Sequence, residues 1–435
     1  MKHAPFSTRR QHLLARLGDG IAIVPTAPER VRNRDSHHPY RFDSYFWYLT
    51  GFPEPEAVLV LCGGDAPQSI LFCREKNEER EIWEGFRHGP GAACAAFGFD
   101  ACYPIGELGQ RLPDLMADRS TLWHSIGHDP EWDAQVSAAL NAVRAQSRAG
   151  KRAPREIRDL RALLDEMRLI KDSSELTTMR HAAAISSAGH ARAMRHCRPE
   201  MAEYELEAEL THEFRRRGAD GHAYTPIVAG GANACVLHYV DNDRLLPEGG
   251  LVLIDAGCEL DGYAADITRT FPVGGRFSAA QRDAYEIVLA AQTAAIAAIR
   301  PGASFMAYHD AAVRVLAQGM IDLGLLKGTA DGVIDSGDYK RFYMHRTGHW
   351  LGLDVHDAGE YKEDAVGGDW VKLAPGMTLT IEPGLYIRPA TDIPQALHGI
   401  GIRIEDDALV TATGCEVYTD APKTVAEIEE VMHRD

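Results

Sequence analysis

The sequence predicts an α+β protein built from two α/β-type domains, with an antiparallel sheet backed by helices in the second domain. Three observations lead to this prediction. The chain has 435 residues, which exceeds the size of one ordinary hydrophobic core. Short apolar runs alternate with helical patterns over the first part of the chain, and long helical segments precede a series of strand-like segments in the second part. We therefore place the domains at residues 1–170 and 171–435.

The first domain is predicted to alternate strands and helices around its own core. Helical patterns cover 9–17 and 132–147. The basic stretch 148–155 contains glycine and proline and interrupts the alternation, so it is interpreted as a linker. An amphipathic helix over 157–168 then leads into the second domain. Aliphatic and aromatic runs indicate buried strands at 21–24, 46–49, 57–62 and 70–73.

The second domain is predicted to begin with long helices. Leu206, Leu210 and Phe214 repeat every four residues and mark the buried face of one helix. Ser278 and Gln281 have the spacing of a capping box and open an alanine-rich helix. The predicted elements are helices opening at Ser173 and Ala202, helices 278–299 and 306–323, and strands 377–381, 399–404 and 408–411.

Composition and the motifs that are missing argue against several classes of function. The formal net charge of −17 disfavours nucleic acid or an anionic membrane as a partner, because both would repel the chain. No apolar stretch is long enough to span a bilayer. The eight cysteines form no CxxC pair, which favours reduced thiols and a cytoplasmic location. HExxH, GxSxG and a glycine-rich phosphate loop are all missing.

Two aspartates stand out in one apolar stretch. Asp255 ends a run of four aliphatic residues, and Asp266 lies in a second strand-like run. A hairpin turning near 260–261 would pair residues whose numbers sum to about 521, which brings these two carboxylates together. Uncompensated charge is costly inside an apolar sheet, so a metal cation is one explanation of the pair. A solvated surface hairpin is the alternative.

Further metal donors lie at predicted strand ends. Glu382 follows an apolar strand and precedes Pro-Gly, while Arg403 and Glu405 share one face of another strand. His345 and His349 belong to the densest histidine segment of the chain, which also contains His356. Four carboxylates carry more charge than one dication balances, which argues for two metal ions. The oxygen-rich set favours Mn²⁺, with Co²⁺, Zn²⁺, Fe²⁺ or Mg²⁺ as alternatives. The metal-ligand candidates are Asp255, Asp266, His349, Glu382 and Glu405.

In order and context, these motifs resemble those of the pita-bread metallopeptidases, and within them the bacterial Xaa-Pro aminopeptidase (aminopeptidase P) family. The resemblance covers nearly the whole chain and implies a smaller creatinase/prolidase-like first domain followed by a pita-bread catalytic domain. The motifs are Ile254-Asp-Ala-Gly-Cys, Ala265-Asp-Ile-Thr-Arg-Thr-Phe, His349-Trp-Leu-Gly-Leu-Asp-Val-His-Asp, Ile381-Glu-Pro-Gly and Gly401-Ile-Arg-Ile-Glu-Asp, joined in the first domain by Arg32-Asn-Arg-Asp-Ser and Phe46-Trp-Tyr-Leu-Thr-Gly-Phe.

The resemblance implies a role for each metal ligand. Asp255 would bind one metal ion, His349 and Glu382 would bind the other, and Asp266 and Glu405 would bridge both. A hydroxide between the metals would attack the Xaa-Pro bond, with Glu382 moving its proton. The product would be the N-terminal residue of a peptide that has proline second.

The resemblance also implies residues outside the metal ligands. His356 and His238 would contact substrate, and His345 would line the proline pocket. Arg403 and Tyr386 would orient Asp255. In the first domain, Trp83 resembles an aromatic residue that helps close the site in a dimer or tetramer, so a homo-oligomer is expected.

One departure and two alternatives accompany the resemblance. Arg346 places a bulky charge between His345 and His349, where the family pattern is closer to Gly-Leu-Ser, and it is expected to affect substrate preference or loop conformation. A prolidase restricted to Xaa-Pro dipeptides would use the same metal centre. A non-catalytic protein of this fold is expected to lose ligands, whereas all five are present here. Creatinase-like hydrolysis without metal would leave the aspartates unneutralised.

Overall fold

A computed structural model of the chain describes residues 4–363 and 367–433. The chain divides into two compact units, Met1–Met167 and Arg168–Asp435. Among the described residues, no helix combines the length and apolar character that crossing a membrane requires.

The first unit is built around a six-stranded mixed sheet with the strand order β6-β5-β4-β1-β7-β8. Antiparallel pairs at its centre are flanked by parallel pairs at both edges. In chain order its elements are α1 (Ala4–Leu17), β1 (Ile21–Pro25), β2 (Val31–Asn33), β3 (Ser36–His37), α2 (Ser44–Thr50), β4 (Val58–Cys62), β5 (Gln68–Cys73), α3 (Glu78–Glu84), α4 (Gly89–Phe97), β6 (Ala101–Pro104), α5 (Leu108–Met116), β7 (Thr121–Trp123), α6 (Pro130–Ala145), β8 (Glu156–Arg158) and α7 (Arg161–Leu169).

The prediction of a strand over 46–49 is wrong, because these residues lie in helix α2. Asp43 caps the helix by accepting a hydrogen bond from the Phe46 amide at 2.9 Å. Gly51 ends it in the left-handed conformation with φ of 60°. The helix buries Phe46 and Leu49, so the aromatic and aliphatic run reflects burial and not strand geometry.

The interpretation of 148–155 as a linker between domains is also wrong. The segment joins α6 to β8, and β8 pairs in parallel with β7 inside the sheet of the first unit. The following helix begins at Arg161 and not at 157, because residues 156–158 form that edge strand. Amphipathic character alone could not distinguish the strand from the first turn of the helix.

The second unit contains small antiparallel sheets and long helices. Its sheets have the strand orders β10-β11-β14, β13-β12-β9, β15-β18-β19 and β16-β17. In chain order its elements are α8 (Ser173–His196), α9 (Glu203–Arg216), β9 (Gly221–His222), β10 (Ile227–Gly230), β11 (Leu251–Asp255), β12 (Cys258–Leu260), β13 (Tyr263–Ala264), β14 (Thr268–Pro272), α10 (Ala279–Ala298), α11 (Ala307–Asp322), α12 (Ala330–Ser336), β15 (Thr378–Ile381), β16 (Gly384–Ile387), β17 (Ile400–Arg403), β18 (Asp406–Val410), β19 (Cys415–Val417) and α13 (Val425–Met432).

Local signals explain where the helices of the second unit begin and which face they bury. The capping box predicted at Ser278 and Gln281 is present at the start of α10. Leu206, Leu210 and Phe214 are fully buried along α9 and belong to the main hydrophobic core. Helices α8 and α9 pack on each other, as do α10 and α11, and α10 also contacts β15, β16 and β17. The helices therefore support the strands whose ends carry the candidate site residues.

The aspartate hairpin forms with a register different from the predicted one. Asp255 pairs with Thr268, so paired residue numbers sum to 523 and not to 521. The two arms continue in the same register through β12 and β13, which belong to another sheet, and the chain reverses at Asp261 and Gly262. Asp266 thus lies two residues before the partner of Asp255. A shift of two residues keeps a side chain on the same face of a strand, so the aspartates still meet.

Candidate metal centre

The five candidate metal ligands line a single cavity of about 490 Å³ in the second unit. The four carboxylates lie at or within two residues of strand ends, and His349 lies in a segment that runs beside β15. The residues lining the cavity are Tyr224, Thr225, Ile227, Leu237, His238, Val240, Asp255, Asp266, His345, Arg346, Gly348, His349, Val355, His356, Tyr361, Glu382, Arg403 and Glu405.

Asp255 and Asp266 share one hydroxyl group. The Tyr224 hydroxyl lies 2.6 Å from Asp255 Oδ1 and 2.5 Å from Asp266 Oδ1. Burial and the two carboxylates raise the pKa of Tyr224, so its hydroxyl stays protonated and donates a hydrogen bond to the two carboxylates. The surface-hairpin alternative is therefore excluded. Tyr224 was not identified in the sequence, because it precedes Asp255 by 31 residues and belongs to no spaced motif.

His349 and Glu382 are brought together by strand-like pairing. Residues 347–351 run antiparallel beside β15, with the Glu382 amide donating to the Thr347 carbonyl at 2.8 Å and the Thr380 amide donating to the His349 carbonyl at 3.0 Å. Gly348 allows this approach, since a Cβ there would lie 2.0 Å from the Thr380 oxygen. His349 Nδ1 lies 2.9 Å from the Trp350 carbonyl, which leaves Nε2 3.6 Å from Glu382 Oε1.

Glu405 is the most deeply buried of the candidate ligands. Its residue is 2% exposed, and its Oε2 accepts a 2.6 Å hydrogen bond from the Thr268 hydroxyl. Asp266, His349 and Glu405 each offer one ligand atom, and these atoms lie within 4.8 Å of one another. His349 Nε2 lies 3.4 Å from Asp266 Oδ2. These three residues form the centre of the donor set.

The donors compete for protons because they are buried together. Burial and repulsion from neighbouring carboxylates raise the pKa of Glu382 to about 7, and the same causes raise that of Glu405 well above its ordinary value. Burial, opposed by Arg403, also raises the pKa of Asp255. Burial alone would lower the pKa of His349, but the neighbouring Asp266 and Glu382 outweigh this effect and raise the pKa to about 9. The set therefore holds protons at neutral pH when no metal is bound.

Arg403 connects Asp255 to His345 through the Tyr386 hydroxyl. Its Nη2 donates to Asp255 Oδ2 at 2.6 Å, and its Nη1 donates to the Tyr386 hydroxyl at 3.0 Å. The Tyr386 oxygen in turn lies 2.8 Å from His345 Nε2. His345 Nδ1 lies 2.7 Å from the Arg346 carbonyl, so both ring nitrogens of His345 have partners. Burial lowers the pKa of His345 to about 3, which keeps its ring neutral.

His356 and His238 also line the cavity, whereas Trp83 belongs to the first unit. The His356 and His349 rings meet edge to face with centroids 4.3 Å apart. Burial and the nearby His349 charge lower the pKa of His356. Trp83 lies in α3 and is 84% exposed. The structure thus brings together every sequence-predicted site residue of the second unit.

A buried ion-pair network fixes the backbone next to His356. Asp357 accepts hydrogen bonds from Arg168 Nη2 at 2.5 Å and from Lys171 Nζ at 2.8 Å. The side chains of Asp357 and Lys171 are 1% exposed and that of Arg168 is 2% exposed. Burial opposes ionisation of Asp357, but the two cations lower its pKa, so the carboxylate is charged. Asp354 accepts from Arg168 as well, at 2.7 Å.

Replacing Asp357 by asparagine is expected to destabilise the second unit. The change leaves two buried cations without their shared anion, which typically costs about 3–5 kcal/mol. We expect the unfolding transition of this unit in calorimetry to move down by roughly 6 °C or more. Asp354→Asn is the matched control, because its side chain is 43% exposed and such pairs contribute about 0–1 kcal/mol. Equal losses in the two variants would contradict this account of the network.

The donor set fits a divalent metal. Four carboxylates line one cavity, and among the described lining residues Arg403 and His349 are the cations hydrogen-bonded or close to them. Oxygen donors with one imidazole suit hard or borderline dications. The Nδ1 contact of His349 with a backbone carbonyl also orients the ring as in metal-binding histidines. An antiparallel-sheet domain holding such a set of donors is typical of metal-dependent hydrolases.

Family comparisons agree with this class. Residues 177–412 match the model of metallopeptidase family M24, and residues 6–123 match that of the aminopeptidase P N-terminal domain. The chain belongs to metallopeptidase family M24. This membership confirms the predicted family, the two-domain pita-bread fold and the prediction of a metallopeptidase that uses a divalent metal.

Individual relatives cover almost the whole chain. The Xaa-Pro aminopeptidase of Escherichia coli is 45% identical over 98% of this chain and 97% of its own length. Human Xaa-Pro aminopeptidase 3 is 34% identical over 95% of this chain and 81% of its own length. The solved structure of Pseudomonas aeruginosa aminopeptidase PepP superposes with a TM-score of 0.97 at 49% identity, covering 99% of this chain and 98% of that chain. A zinc-substituted E. coli aminopeptidase P in complex with product superposes with a TM-score of 0.96 at 44% identity, covering 99% of this chain and 98% of that chain.

Proposed function

We propose that this protein is an aminopeptidase that releases the N-terminal residue from peptides with proline at the second position. The observation that carries the proposal is the convergence of Asp255, Asp266, His349, Glu382 and Glu405 on one cavity. The E. coli relative, which is named as an Xaa-Pro aminopeptidase, supports the choice of substrate.

The proposal includes two divalent ions per chain, with Mn²⁺ first and Co²⁺, Zn²⁺, Fe²⁺ or Mg²⁺ as alternatives. Asp255 would bind one ion, His349 and Glu382 the other, and Asp266 and Glu405 both. The ions would supply an acidified water and polarise the scissile carbonyl. The chain's contribution is to hold four carboxylates and one imidazole at a fixed separation, with Thr268 and Trp350 orienting Glu405 and His349.

Glu382 is the residue proposed to move a proton. It would take the proton from the attacking water and return it to the proline nitrogen as the peptide bond breaks. The proposal is supported by the burial of Glu382, which raises its pKa to about 7 and so favours the protonated carboxyl more than water does. The Thr380 hydroxyl lies 3.3 Å from Glu382 Oε1 and orients the carboxylate.

The histidines of the cavity wall are proposed to bind substrate. His345 uses both ring nitrogens for contacts with the protein, so contact with the apolar ring of proline suits it. A neutral His356 can donate an N–H to the carbonyl oxygen that becomes negative as water attacks. His238 is proposed to contact the peptide backbone. Arg403 is the positioning residue for Asp255, and Tyr386 positions His345.

Assembly and location complete the proposal. Ile82, Trp83 and Phe86 are exposed in or beside α3, and exposed apolar groups of this kind favour an interface. We therefore propose a homo-oligomer, either a dimer or a tetramer, in which Trp83 helps close the site. A cytoplasmic location is proposed because all eight cysteines are unpaired.

A peptide panel on reconstituted protein tests the substrate. Metal-stripped protein is loaded with Mn²⁺, Co²⁺ or Zn²⁺ and assayed against Ala-Pro-Ala, Ala-Ala-Ala and the dipeptide Ala-Pro. We expect alanine to be released from Ala-Pro-Ala, with little turnover of Ala-Ala-Ala. Elemental analysis is expected to give about two metal ions per chain. Turnover of Ala-Pro alone would indicate a prolidase, and turnover of Ala-Ala-Ala at a similar rate would contradict proline selection.

A further inference from the structure

Arg346 is a cation at the exposed edge of the cavity, and its side chain packs against aromatic rings. It lies between His345 and His349, lines the cavity and is exposed to solvent. Its guanidinium carbon lies 4.9 Å from the centroid of the Trp370 ring and 5.9 Å from that of Tyr361. Contacts of this type hold a guanidinium against an aromatic face while leaving its N–H edge able to bind an anion.

A second cation contacts the same indole ring. Lys362 Nζ lies 4.2 Å from the Trp370 centroid and donates to the Gly368 carbonyl at 3.0 Å. Within residues 4–363 and 367–433, neither Arg346 nor Lys362 forms an ion pair with a carboxylate. Two like charges gathered on one ring repel each other, and an anion bound beside them would relieve the repulsion. We refer to Arg346, Lys362 and Trp370 as the Trp370 cluster.

The Trp370 cluster differs from Arg403, the other arginine of the cavity, in its freedom to bind a substrate carboxylate. Arg403 is committed to Asp255 and Tyr386, so it offers little to a substrate carboxylate. Among the described residues, Arg346 forms no ion pair with a candidate ligand carboxylate, whereas Arg403 Nη2 lies 2.6 Å from Asp255 Oδ2. We therefore place a group bound by the Trp370 cluster outside the set of candidate metal ligands.

We propose that Arg346, assisted by Lys362, binds a substrate carboxylate on the carboxyl side of proline. This inference rests on the proposed function, since an aminopeptidase holds a single residue on the amino side of the scissile bond and the rest of the peptide on the other. A guanidinium repels the peptide amine and attracts carboxylates. Two sources present that group downstream of proline: the C-terminal carboxylate of a tripeptide and an acidic side chain at the third residue.

Four peptides separate the sources: Ala-Pro-Ala, its C-terminal amide, Ala-Pro-Glu amide and Glu-Pro-Ala amide. The wild-type protein is compared with Arg346→Gln. For each variant, kcat/KM for each peptide is divided by kcat/KM for Ala-Pro-Ala amide, so a general loss of activity cancels. We expect the wild type to prefer at least one downstream carboxylate by about 5- to 10-fold in kcat/KM, mainly through KM. The preference is expected to disappear in Arg346→Gln and to shrink with added salt.

Arg341→Gln is the matched control for charge. Arg341 is five residues away and forms an exposed ion pair with Asp392, so its removal changes the net charge equally without touching the cavity. We expect this variant to keep the wild-type preference. Preference for Ala-Pro-Ala alone identifies the C-terminal carboxylate, and preference for Ala-Pro-Glu amide identifies the side chain.

Three results would overturn the inference. Equal rates on Ala-Pro-Ala, its amide and Ala-Pro-Glu amide would refute it while leaving the proposed function intact. A preference confined to Glu-Pro-Ala amide would place Arg346 on the amino side of the bond. If the wild type cleaves none of the four peptides, the proposed function fails and this inference fails with it.

Discussion

Replacing Asp266 by asparagine is expected to lower kcat/KM for Ala-Pro-Ala by about 1000-fold or more. Asp266 is one of the three residues whose ligand atoms lie within 4.8 Å of one another, and it contacts both the Tyr224 hydroxyl and His349. Asparagine keeps the size of the side chain but removes the negative charge that a dication requires. Metal content is expected to fall below two ions per chain while the circular dichroism spectrum stays unchanged.

Asp261→Asn serves as the matched control for Asp266→Asn. Asp261 lies in the same hairpin, is exposed, and has a φ of 49°, a conformation that asparagine tolerates. We expect this variant to keep wild-type activity and metal content. Activity of Asp266→Asn within about 10-fold of wild type, with full metal occupancy, would refute the bridging role proposed for Asp266.

Site residues at strand ends could be predicted because one local pattern, an apolar run that ends at a carboxylate, indicates both the strand and the site. An apolar run stops at a carboxylate, as at Asp255 and Glu382, and such a carboxylate is too costly to bury without a partner. Residues 378–381 and 251–255 are strands in the structure, as their aliphatic runs predict. The resemblance added the order of the motifs, which local patterns do not contain.

The pairing of the strands could not be predicted from the same patterns. A turn at 260–261 would make paired residue numbers sum to 521, but the chain turns at Asp261 and Gly262, so the sum is 523 in both β11–β14 and β12–β13. Gly257 permits the two arms of this hairpin to approach each other, since a Cβ there would lie 1.7 Å from the Ala265 oxygen. A close approach of this kind depends on the tertiary fold, and the sequence marks it only as one more glycine.

The misassigned helix α2 shows how capping can outweigh residue type. Phe46 and its aromatic neighbours have strand preferences, which led to the strand prediction. Asp43 at the start and Gly51 at the end are helix signals, and together they enclose the seven residues of α2. Tyr224, in contrast, has no local sequence signal, because its contact with the aspartates arises from tertiary structure alone.

Metal binding is expected to release protons at neutral pH. A metal ion needs a neutral imidazole, but Asp266 and Glu382 raise the pKa of His349 to about 9 in the metal-free protein despite its burial. Below pH 9 the metal must therefore displace the His349 proton, and apparent affinity should fall by about tenfold per pH unit from 9 towards 7. Glu382, with a pKa raised to about 7, and Glu405, also raised, add further protons at lower pH. Activity at limiting metal should accordingly decline under mildly acidic conditions.

Calorimetric titration with Mn²⁺ in buffers of different ionisation enthalpy measures these protons directly. We expect at least one proton released per chain at pH 7 and fewer above pH 9, where His349 is already neutral. His309→Gln is the control, because burial lowers the pKa of that histidine, so its ring is already neutral at pH 7 and releases no proton when metal binds. A proton count that is zero at pH 7, or that does not change between pH 7 and 10, would contradict a metal bound through His349. Protons are released because the candidate ligands lie close together. Carboxylates close enough to share two dications also favour protons on His349 and Glu382 when no metal is bound, and the metal displaces those protons.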